Sequence, residues 1–112
     1  MGDDAERIAK TESVFRDVNE RIAETADAAG LAGAEFLCEC ADPTCTERVE
    51  VGLDDYERVR EHATHFILAP GHELPAFVER VVHREGRYQV VRKVHDAVAA
   101  IARRLDPRAE TS

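Results

Sequence analysis

The stretch Phe36-Leu37-Cys38-Glu39-Cys40-Ala41-Asp42-Pro43-Thr44-Cys45 decides how this chain folds. From Glu35 to Cys40 the residues read as a strand, because they alternate in character with a period of two. Ala41-Asp42-Pro43-Thr44 then supplies the chemistry of a tight turn: an Asp that can bond its own backbone and a Pro with preset φ. Alternation resumes from Thr46 to Val51, with Val49 and Val51 facing one way and Arg48 and Glu50 the other. The pattern predicts a hairpin over residues 35–51 that carries its cysteines at the tip. Residues two apart on an extended chain share a face, so Cys38 and Cys40 converge and the turn returns Cys45 towards them.

Three thiols within eight residues make a poor disulfide set, since the odd count leaves one over and the loops are short. They make a good metal site instead. Thiolates bind zinc at about 2.3 Å, and structural zinc closes with four protein ligands, so one ligand must come from elsewhere. Five histidines compete: His62, His65, His72, His83 and His95. His72 is favoured because Pro70-Gly71, suited to the centre of a type II turn, gives it a fixed loop setting. His65 and His62 follow. The expected ligand set is therefore Cys38, Cys40, Cys45 and His72 around one structural zinc, with Glu73 as an acceptor steadying the histidine ring.

Other readings of the cluster stand beside this one: free buried cysteines, an iron–sulfur centre, or a catalytic zinc with Glu39, Asp42 or Glu73 as acid or base. The thiolate-rich donor set counts against catalysis, as does the absence of H-E-x-x-H, G-x-S-x-G and deaminase patterns. A redox switch, with oxidation forming a disulfide and unlatching the hairpin, is a further alternative; Glu39 and Asp42 oppose it by disfavouring thiolates.

Around the hairpin the elements fall into place. Residues 3–29 lack breakers until Gly30, and Ile8, Phe15 and Ile22 recur every seven residues with Val18 interleaved, which predicts a long amphipathic helix buried on that stripe. The same spacing would serve a dimer seam. A short helix over 53–61 follows from Leu53, Tyr56 and Val59, with Asp54 and Asp55 at its start. Strands are expected within 65–94: first Phe66-Ile67-Leu68-Ala69, then a turn near Pro75 leading into a hairpin through Glu85-Gly86-Arg87. Val94, Val98, Ile101 and Leu105 mark a C-terminal helix over 94–105. The whole reads as one α+β domain over 1–112, a small antiparallel sheet of hairpins with a long N-terminal and a short C-terminal helix, stapled by zinc.

Composition sets limits on function. Hydrophobic residues make up 44% and aromatics 5%, so the core rests on aliphatic side chains and a metal staple would help it. Met1-Gly2-Asp3-Asp4 lacks the features of a signal peptide and no run reaches a membrane span, so a cytoplasmic protein away from membranes is expected. A net charge of -8 disfavours nucleic acid, although residues 80–108 carry eight bases against three acids and keep an anionic partner open.

Together, Phe36 to Cys45, the Leu53-x2-Tyr56-x2-Val59-Arg60 segment and Ala69-Pro70-Gly71-His72-Glu73 resemble small proteins of high-GC actinobacteria that have no assigned activity. The bias of thirteen Arg to two Lys agrees with such a genome. The resemblance implies a bacterial cytosolic protein with a Cys3His site. The expected role is that of a zinc-stabilised binding or regulatory module acting on a protein partner or on a second copy of itself, with a small zinc hydrolase or transferase as the alternative.

Overall fold

With no Gly or Pro between Asp3 and Gly30, the first segment forms helix α1, Gly2–Ala28, in a computed structural model that describes residues 2–108. Gly30, at φ 75°, stops it. The Leu31 N–H bonds the Ala26 carbonyl and the Gly30 N–H bonds that of Asp27, a pair that satisfies the last turn's orphan carbonyls.

Two antiparallel sheets follow. Strands β1 (Gly33–Leu37) and β2 (Arg48–Gly52) form the first, with Phe36 opposite Val49. Helix α2 (Leu53–Val59) then leads to β3 (His65–Leu68), β4 (Glu79–Arg84) and β5 (Gln89–Lys93), which pair in the order β3-β5-β4. A turn at Pro75, closed by Val78 N–H to the Pro75 carbonyl, feeds β4. Helix α3 (Asp96–Leu105) is the last element and packs against α1. A backbone hydrogen bond links the two sheets, from the Glu39 N–H, just past β1, to the Ile67 carbonyl of β3 at 2.8 Å.

The core gathers Phe36, Tyr56, Phe66, Ile67, Leu68 and Val91. Phe36 and Tyr56 stack in parallel at 4.4 Å between centroids, so few aromatics do much of the filling. A satellite cluster of Ala5, Ala9, Val78 and Val98 lies under α1 and α3.

The inner face of α1 departs from the sequence reading. Ile8, Phe15 and Ile22 are only half-buried and Val18 is exposed, while Ala5, Ala9, Glu12, Arg16, Asn19, Ala23 and Ala26 form the buried stripe. The reason is that α1 lies over strand ends and loops whose backbone groups need partners. Arg16 donates to the carbonyls of Ala63 (2.8 Å) and His65 (2.5 Å), its guanidinium lying 3.7 Å from the Phe66 centroid. Asn19 both accepts from the Leu37 N–H and donates to its carbonyl. Glu12 meets Lys93 at 2.5 Å, and Lys93 also pairs with Glu79, all three side chains being fully buried. Buried polar groups must find such partners, and hydrophobicity periodicity does not register them. Among the described residues no helix is long and apolar enough to cross a membrane.

Candidate metal centre

The cysteines occupy the connection between β1 and β2, and its first residues are held as an extension of β1. The Cys38 N–H bonds the Glu47 carbonyl across the hairpin while the Glu39 N–H reaches β3. Between these anchors the chain alternates. Cys38 and Cys40 are buried on one side, and Glu39, also buried, turns to the other. The turn is built as its residues suggest: Asp42 Oδ1 accepts from the Thr44 N–H (2.9 Å) and hydroxyl (2.7 Å), and the Cys45 N–H bonds the Asp42 carbonyl.

The opposite wall comes from the segment after β3. Gly71 takes φ 87° and the His72 N–H bonds the Ala69 carbonyl, which makes residues 69–72 a type II turn with Pro70 and Gly71 at its centre. The turn brings His72 Nδ1 to 3.6 Å from both Cys38 Sγ and Cys45 Sγ. The ligand atoms of Cys38, Cys40, Cys45 and His72 all lie within 4.8 Å of one another.

These distances suit zinc. A tetrahedron with Zn–S of about 2.3 Å and Zn–N of about 2.0–2.1 Å has S···N edges of about 3.6 Å and S···S edges of about 3.8 Å. The two sulfur-to-imidazole separations coincide with that edge. The donor set, three soft thiolates and an imidazole, is one that zinc takes in closed structural sites, and the cluster fits such a site.

Electrostatics point the same way. Burial pushes the Cys38 and Cys40 thiols up from their ordinary range; Cys40 and Cys45 push Cys38 further up, and Cys45 does the same to Cys40. Three thiolates this close require a cation to neutralise them. The Ala69 N–H donates to Cys38 Sγ at 3.1 Å, which fixes that sulfur and stabilises its charged form.

Every carboxylate nominated as an acid or base is engaged elsewhere. Glu39 accepts from Asn19 Nδ2 (2.9 Å) and from the Ile67 N–H (3.0 Å), facing away from the sulfurs. Asp42 is bound to Thr44. Glu73, expected to steady His72, instead accepts from Gln89 Nε2 at 2.5 Å, because its side chain reaches the start of β5.

The other histidines lie apart from the cluster. His62 and His65 stack on each other at 4.3 Å, and His83 faces Glu85 at 2.9 Å. Sequence reasoning missed the support behind the metal centre, namely Asn19, Arg16 and buried Glu39. The signal was a polar stripe, Glu12-Arg16-Asn19, at helical spacing on α1. No protein-family model, curated protein or solved structure matches the chain.

Proposed function

We propose that the chain is a structural-zinc module in which Cys38, Cys40, Cys45 and His72 hold one zinc ion, and that it works by binding a protein partner or a second copy of itself. The convergence of four soft or borderline donors within 4.8 Å carries the metal reading. Zinc there ties the β1–β2 connection to the turn after β3, beside the hydrogen bond that joins the two sheets. Four protein ligands leave no position for a substrate or water, and Glu39, Asp42 and Glu73 are committed to other bonds, which favours a binding role over catalysis.

The test has two parts. Elemental analysis of the purified chain should find close to one zinc per molecule, and Cys45→Ser and His72→Ala should each lose it. Light scattering coupled to gel filtration, together with affinity capture from the native host, then asks for a stable dimer or a stoichiometric protein partner. A metal-free chain with full thermal stability sinks the zinc reading. Zinc with turnover of an ester or amide substrate sinks the binding reading.

A further inference from the structure

A second cluster of side chains lies on the far face of the β3-β5-β4 sheet. His65 stands directly opposite Arg92, and Arg92 directly opposite Arg80, across the three strands. Residues so paired in antiparallel strands share a face with Cβ atoms about 5 Å apart, and like charges there destabilise the sheet. Their neighbours Phe66, Val91 and Lys93 are buried on the other face, so the row of cationic side chains turns outward. Neither Arg80 nor Arg92 forms an ion pair among the described residues, although Asp and Glu outnumber Lys and Arg in this chain 23 to 15.

The row borders a cavity. Between α2 and the β4–β5 hairpin lies a cleft of about 450 Å³ lined by Val59, His62, His65, Val82, Tyr88 and Val90. His65 belongs to both features. Val82, at 46% exposure a large apolar side chain left uncovered, sits at the β-bulge between Val81 and His83, where an extra residue re-aims the strand's side chains. Within the cleft Arg58 pairs with Asp55 at 2.6 Å, and His83 Nε2 lies 2.9 Å from Glu85 Oε1. Arg92, opposite His65, and Arg80, opposite Arg92, lie outside the cleft's lining and have no ion-pair partner among the described residues. Burial and the nearby His62 and Arg92 press the pKa of His65 down to about 4, which keeps its ring neutral for stacking or hydrogen bonding.

We infer that this cleft binds a small phosphorylated ligand with a planar ring, of the mononucleotide class. Arg92 and Arg80 meet the phosphate at the rim, and the ring lies over the valine floor beside the His62 and His65 rings. The cleft's size falls in the range of small-molecule sites, about 300–1,000 Å³, and its lining mixes Val59, Val82, Tyr88 and Val90 with polar and ionisable side chains. A polymeric anion fits less well, because the net charge of -8 repels an extended phosphate backbone while a compact ligand senses mainly the local row. This inference needs the fold but not the zinc.

The test uses the full-length, zinc-loaded chain with adenosine monophosphate, adenosine, inorganic phosphate and a single-stranded oligonucleotide as probes, followed by calorimetry and by amide chemical shifts. The monophosphate should move the amides of His65, Val82 and Arg92 and bind at least about tenfold more tightly than adenosine or phosphate alone, as one charge-assisted contact implies. Arg92→Gln and Arg80→Gln should each weaken it by about tenfold, whereas Arg87→Gln, whose parent pairs with Glu50, should not. The two arginine variants should also melt at or above the parent temperature, since they relieve like-charge repulsion, so lost binding cannot be ascribed to misfolding. Absence of cleft shifts with the monophosphate, equal binding by adenosine, or tighter binding of the oligonucleotide than of the monophosphate would each overturn the inference.

Discussion

Removing His72 tests the zinc staple most directly, and the size of the effect follows from the chain's connectivity. The Cys38–His72 link spans 34 residues. Treating it as a cross-link, the unfolded-state entropy it removes for a loop of that length corresponds to about 4 kcal/mol at 25 °C. A chain of 112 residues has a total stability on the order of 6–17 kcal/mol, so the loss is a large share of it. At about 4 °C per kcal/mol for a domain of this size, His72→Ala should lower the melting temperature by roughly 15 °C. Scanning calorimetry with parallel zinc analysis provides the assay, and His83→Ala serves as control, because His83 is an exposed partner of Glu85. Chelation of the parent protein should reproduce the variant's melting temperature. If His72→Ala and His83→Ala retain equal zinc and equal melting temperature, the staple does not exist as described.

Three further outcomes are expected. Lys93→Met leaves Glu12 and Glu79 facing each other in the core and should cost about 3–5 kcal/mol in urea unfolding; a change below about 1 kcal/mol would contradict the buried triad. Burial pushes the Glu12 carboxyl from 4.5 up to about 7, so the folded state holds a proton that the unfolded state releases. Stability should therefore fall as pH rises from about 4.5 through about 7, by up to about 3 kcal/mol, and Glu12→Gln should flatten that fall. A Glu12→Gln curve that overlays the parent across this window would refute the assignment. Asn19→Ala withdraws one partner of Glu39 and the side-chain partner of both Leu37 backbone groups, and should cost about 1–3 kcal/mol and loosen zinc, measured by competition with a chromophoric chelator; unchanged zinc affinity would show that the support network does not reach the metal.

The metal cluster was unusually legible because its spacing is a local property. Cys38, Cys40 and Cys45 are near neighbours in sequence, and the turn formers Asp42 and Pro43 between them bring the third thiol back without help from distant contacts. His72 was harder to place. It lies 34 residues from Cys38, and only the rigidity of Pro70-Gly71 distinguished it from four other histidines. The α1 stripe misled because seven-residue apolar spacing identifies a helix but not the face it buries, and here that face serves polar groups.

What the sequence determined by itself was therefore the set of elements and the three thiols: alternation, helical period, Gly and Pro stops and cysteine spacing all act over a few residues. What only the tertiary structure decided were the meetings between distant segments. Glu39 bonding Ile67, Arg16 and Asn19 closing loop carbonyls, Lys93 between two glutamates, and His65, Arg92 and Arg80 aligned across three strands all depend on register and docking. These partners are fixed when buried backbone and charged groups must be satisfied at once, a requirement set by the packed molecule as a whole and visible in no single stretch of chain.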